Sequence, residues 1–132
     1  MPSFIQSATQ AGVISRPATT DLTGKEGCFA KLVDGTGDAT ASLAGAGELA
    51  LYVVEDASNT TLPNNLVSLR PLSGERNVRI IAAAALTGGQ EVQSDANGQA
   101  VAASTGNWVN GVTEEDAVVG QYALIRPVHY KK

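Results

Sequence analysis

Few side chains in this sequence could do chemistry. It holds one histidine, His129, and one cysteine, Cys28. A Ser-His-Asp site needs an imidazole held by packing and oriented by an acid, and His129 stands in the polar tail His129-Tyr130-Lys131-Lys132, where neither is expected. A cysteine nucleophile needs a partner histidine, so Cys28 reads as a small buried core thiol. Asp34-Gly35-Thr36-Gly37-Asp38 has the look of a calcium loop but lacks the later bidentate Glu, so it reads as a turn. Glu114-Glu115-Asp116 reads as a solvated acidic turn. No Gly-x-x-x-x-Gly-Lys-Ser/Thr occurs, so Gly45-Ala46-Gly47 and Gly88-Gly89 are no phosphate cradles. Trp108, a single aromatic at a strand start, fits core or interface better than a sugar-stacking platform. The residues therefore point to a non-catalytic chain with no catalytic, cofactor or metal site.

The elements that carry these residues are strands and turns. Glu91–Ser104 reads as a hairpin turning at Asp95-Ala96-Asn97-Gly98, where Asp starts a turn and Asn-Gly accept positive φ. Lys31–Ser42 reads as a worn copy of it, turning at Asp34–Asp38. Both hairpins are followed by a glycine, an apolar strand, Glu-Asp-Ala, another apolar strand and Arg-Pro. The first series runs Gly47, Val53-Val54, Glu55-Asp56-Ala57, Leu66–Leu69, Arg70-Pro71; the second runs Gly106, Gly111-Val112, Glu115-Asp116-Ala117, Tyr122–Ile125, Arg126-Pro127. Two related units of about 40 residues are expected.

Strands are expected at Gly27–Val33, Glu48–Glu55, Leu66–Leu72, Asn77–Leu86, Trp108–Val112 and Tyr122–Val128, with Phe29 and Tyr122 in the core. Leu49, Leu51 and Val53 should share one face. Ala57–Asn65 reads as a loop. Thr113 and Asp116 have capping-box spacing, so one helical turn fits between Thr113 and Gly120. Residues 1–24 show no sustained period and read as an extended arm, either frayed or docked on a neighbour; residues 25–132 form a single β-domain.

Composition narrows the function. Charged residues are 17%, below the usual figure of about a quarter, and aromatics are 5%. With much alanine, this predicts a smooth surface of small residues. The net charge of −4, with no Lys/Arg cluster beyond Lys131-Lys132, argues against nucleic acid and anionic membranes as partners. The sequence shows no secretory signal and no apolar run of the roughly 20 residues that span a bilayer. A single cysteine excludes a disulfide within the chain and fits synthesis in a reducing cytoplasm.

The ordered series Arg16-Pro17-Ala18, Asp21-Leu22, Lys25-Glu26-Gly27, Phe29, Lys31-Leu32, Ala82–Leu86, Gly89-Gln90-Glu91-Val92, Asp95-x-x-Gly98-x-Ala100-Val101-Ala102, Gly111-Val112 and Gly120 resembles the capsid cement, or decoration, proteins of tailed bacteriophages. The resemblance runs from Arg16 to Pro127. Tyr52-Val53 departs from it where Gly-Val would be expected. The resemblance implies a small antiparallel β-barrel or sandwich, β-tulip-like, built from the two hairpin units. It implies a virion protein on the outer capsid surface that binds the major capsid protein and itself, as a homotrimer. Phe4, Ile5, Val13, Ile14 and Arg16 of the arm are then the expected capsid anchors, and Phe29, Lys31, Trp108 and Tyr130 the expected oligomer contacts. The other expectation is a head-fibre or tail-associated β-module that binds a host glycan.

Overall fold

The computed structural model describes residues 12–33, 39–57 and 66–132. Twelve strands follow in order: β1 (Ile14–Pro17), β2 (Phe29–Val33), β3 (Thr40–Leu43), β4 (Tyr52–Asp56), β5 (Leu66–Pro71), β6 (Val78–Ile81), β7 (Glu91–Ser94), β8 (Ala100–Ala102), β9 (Trp108–Val109), β10 (Gly111–Thr113), β11 (Tyr122–Arg126) and β12 (Tyr130–Lys131). The described residues contain no helix. The mainly-β, antiparallel class read from the sequence is the observed one.

Two five-stranded sheets have the same plan. Their orders are β1-β5-β4-β2-β3 and β6-β11-β10-β7-β8. Each element of the first unit has its counterpart in the second, and the registers agree. Ile14 pairs with Leu69 as Val78 pairs with Ile125; Pro17 pairs with Leu66 as Ile81 pairs with Tyr122. Val53 pairs with Arg70 as Val112 pairs with Arg126. In the sheet register Gly111 lies opposite Val92 and Tyr52 opposite Ala30, which makes Tyr52 the counterpart of Gly111. The duplication is thus written in pairing geometry as well as in sequence.

Each sheet also rolls until its edges touch. A parallel bridge joins Ala18 to Ala41 in the first unit and Ala82 to Ala100 in the second. The next N–H continues it both times: Thr19 N donates to Ala41 O and Ala83 N to Ala100 O, each at 2.9 Å. One bridge per sheet falls short of a closed barrel. A roll of five strands encloses less space than the eight-stranded barrels that side chains just fill, so its lining must be small. Ala18, Ala30, Ala41 and Ala57 are buried with Val67 and Leu69 in the first roll; Ala82, Ala100, Ala117 and Ala123 are buried with Val92 and Ile125 in the second. Much of the alanine expected on a smooth surface is therefore core.

Phe29 joins the units. It is fully buried, and with Ala44, Ala50 and Val53 it belongs to the apolar cluster of the second roll. The second hairpin turn docks on it: Phe29 N donates to Gly98 O at 2.6 Å. Gly98 has φ +77°, and a Cβ there would lie 2.8 Å from Phe29 O, so only glycine fits. Asp95 Oδ1 holds the turn by accepting from Asn97 N and Gln99 N at 2.8 and 2.9 Å.

Several expectations are corrected. The second half of the arm belongs to the first unit, so the β-domain does not start at residue 25: β1 pairs along four residues with β5, Ile14 packs on the first core, and Leu22 is buried. An edge strand of four residues is too short to show a period in sequence. The strand expected from Glu48 starts only at Tyr52. Asn110 takes the ladder's place there, its Oδ1 accepting from Ala50 N and its Nδ2 donating to Glu48 O, both at 3.0 Å, while Leu51 is exposed. Thr113–Gly120 makes no helical turn, because Leu86 and Ala117 exchange backbone bonds at 2.9 Å and Asp116 Oδ1 accepts from Gly88 N. The tail is not loose: β12 pairs with β9, and His129 Nε2 lies 2.7 Å from Ala50 O. Tyr122 is surface, not core, at 51% exposure. The expected turn at Asp34–Asp38 and the loop 58–65 lie outside the described residues.

Candidate functional site

A cleft of about 330 Å³ opens where the first unit hands over to the second. Its floor is apolar, with Val53 and Val54 of β4 and Val78 of β6 all buried. Its rim is charged. The turn Ser73–Arg76, closed by Arg76 N donating to Ser73 O at 3.1 Å, leads into Arg76, Asn77 and Arg79 of the lining. Glu26, Glu55 and Arg70 complete the charged rim. Tyr122, first residue of β11, forms an end wall. Its ring lies on Gly27, where a Cβ would come within 2.5 Å of Tyr122 Cε1.

The rim charges are unequally engaged. Arg70 Nε donates to Glu55 Oε1 at 2.8 Å. That hydrogen bond is the main reason the Glu55 carboxyl is held below its ordinary range, with Arg76 adding to the effect. Glu26 Oε2 accepts from Ala57 N at 2.9 Å. Arg76 and Arg79 are exposed and take part in no ion pair among the described residues. The ion pair Arg70–Glu55 has its counterpart in Arg126–Glu114 at 3.4 Å, between the end of β11 and the residue that follows β10.

Apolar exposure gathers on the loop between the Glu-Asp-Ala turn and β11. Val118 is 62% and Val119 63% exposed, next to Tyr122. Leu66, counterpart of Tyr122 at the head of β5, is also exposed. A second, smaller surface is the β9–β12 ribbon, where Lys131 pairs with Trp108, Tyr130 OH donates to Glu91 and Lys132 Nζ lies 3.0 Å from Glu91 Oε1.

The expected site residues fall in separate places. Phe4 and Ile5 lie outside the described residues. Val13 is half-buried just before β1, Ile14 covers the protein's own core, and Arg16 is half-buried with Nη1 donating to Ser15 O. Among the expected oligomer contacts, Phe29 has no exposed surface to offer and is corrected to a core residue between the units. Lys31 is ion-paired with Glu48 at 2.7 Å. Trp108 and Tyr130 come together on the small ribbon. Cys28 is buried, and desolvation raises its thiol pKa. Among the described residues no three His, Cys, Asp or Glu side chains are grouped to hold a metal, and no helix is long and apolar enough to cross a membrane. Sequence reasoning missed the cleft arginines because Arg70, Arg76 and Arg79 look scattered along the chain. The repeated Arg-Pro marks Arg70 alone among them, and Arg76 and Arg79 carry no such signal.

No protein-family model matches the chain, and no curated protein sequence matches it. Among solved structures it is similar to the head fiber gp8.5 N base of bacteriophage phi29, with a TM-score of 0.70 and 19% identity over 88% of this chain and 92% of that one. The likeness spans both rolled units, and what the two chains share at that identity is the fold.

Proposed function

We propose that this chain is a structural protein of a bacteriophage particle that binds the outer surface of the head. The observation that carries this is the fold match with a phage head fiber base along nearly the whole of both chains. The ordered resemblance to capsid cement proteins from Arg16 to Pro127 points the same way from independent ground. The molecule offers a rim of charges and exposed apolar side chains at Val118, Val119 and Tyr122, which suits adhesion to a large partner. No catalytic step is assigned to it.

In the finer form of the proposal the protein cements adjacent major capsid protein subunits as a homotrimer. Repetition around a symmetric shell turns modest contacts into firm attachment. A second form is favoured by the structural neighbour, itself the N base of a head fiber: the chain is the base of a head fibre, and further protein is mounted on it. Sedimentation with heads lacking the protein tests the shared claim. Heat challenge of those heads separates the two forms. A cement raises the temperature at which heads rupture, and a fibre base binds without doing so. Failure to sediment with heads at micromolar concentration overturns both. A glycan array with hits lost on Trp108→Ala would move the chain to a host-recognition role.

A further inference from the structure

We propose that the cleft between the two rolled units is a receptor for an extended acidic segment of a partner protein, its carboxylates held by Arg76 and Arg79. That the partner belongs to the head surface rests on the function proposed above; the cleft's chemistry does not.

The charge distribution selects the occupant. The chain carries a net charge of −4, so an acidic partner is repelled by most of its surface. The cleft is the exception, since three of the five arginines line it against two glutamates, Glu26 and Glu55, of which Glu55 is paired with Arg70 and Glu26 accepts from Ala57 N. Arg70 is committed to Glu55 at 2.8 Å, and Arg76 also acts on Glu55 from a distance, but neither Arg76 nor Arg79 is in an ion pair among the described residues, so both guanidinium forks are open to a carboxylate. A guanidinium fork matches a carboxylate with two parallel hydrogen bonds, stronger than neutral ones. The buried valine floor beneath lowers the local dielectric and takes apolar side chains between the acids. A segment that alternates acidic and apolar residues meets both demands.

The backbone supplies the second reason. β6 is the edge strand of its sheet. Ile81 N–H turns away from β11 and donates to Gly27 O at 2.9 Å. With the strand period of two, the N–H of Arg79 faces the same edge, toward the cleft that Arg79 lines. An extended segment laid there would add a strand, its main chain bonded to Arg79 and its acids reaching the guanidinium groups.

The test uses the blocked peptide Glu-Val-Glu-Val-Glu and its lysine counterpart, titrated into the whole chain labelled for amide resonances. The expected result is saturable shifts at Gly27, Arg79 and Tyr122 with the acidic peptide and none with the basic one. In Arg76→Glu/Arg79→Glu the affinity falls at least about tenfold, as loss of a charged contact pair predicts. Should that variant unfold, Arg76→Ala/Arg79→Ala and a salt series on the wild type take its place. No saturable shift at millimolar peptide, or shifts that persist in the arginine variants, overturns the cleft. Head sedimentation in parallel keeps the two proposals apart. Heads bound without a cleft response leave the head function standing alone, and a cleft response without head binding does the reverse.

Discussion

At the residue scale, a few side chains do the work of whole elements. Asn110 is fully buried and serves two main-chain groups of the first unit from the second. Asn110→Ala leaves Ala50 N–H and Glu48 C=O without partners, so a loss of roughly 2–5 kcal/mol is expected in urea unfolding. Phe29→Ala empties the junction between the units and should cost about 3–5 kcal/mol. Two surface carboxylates contribute to the acid limb of stability. Glu48 is held low by the hydrogen bond from Lys31, then by that from Gly45 N, and Glu55 by the hydrogen bond from Arg70. Both bind a proton less readily folded than unfolded. Their contribution is therefore complete above the ordinary Glu value of about 4.3 and is lost as pH falls below it through the folded values. Melting curves of Glu48→Gln/Glu55→Gln should show a shallower fall in that acid window than the wild type. Both side chains are partly solvated, so the effect is small.

At the element scale, β1 is the test of how the first unit closes. It pairs with β5 along Ile14–Pro17, and its continuation Ala18 meets β3. Removing residues 1–17 opens the roll on that side and should lower the melting temperature by at least about 5 °C. A truncation that melts like the full chain would show that β1 is dispensable. The hairpins and the duplication were legible in sequence because turn chemistry is local: Asp95, Asn97 and Gly98 name their own conformation. β1 was not legible, because four residues ending in Pro17 show no alternation. Its kinship to β6 was still present in Ala18…Leu22-Thr23-Gly24, which stands against Ala82…Leu86-Thr87-Gly88 at the same spacing. The burial of alanine was hidden for another reason. Alanine suits surface and narrow core alike, and only the five-strand roll decides between them. The candidate cleft was invisible because it is assembled from β4, β5, β6 and β11, which no sequence window contains together.

At the scale of the whole molecule, two rolls of the same plan share one apolar junction and leave between them a charged cleft. Two small cores joined at one apolar cluster, with strands at the edges, are compatible with the proposed role of a part held on a larger assembly. The most direct test of that role is a cryo-electron microscopy difference map between heads that lack the protein and the same heads after its addition. Added density on the outer face, repeated at equivalent positions of the shell and fitted by the paired rolls, is the predicted result. Heads that gain no density at saturating protein, or gain it only at the tail, would contradict the account.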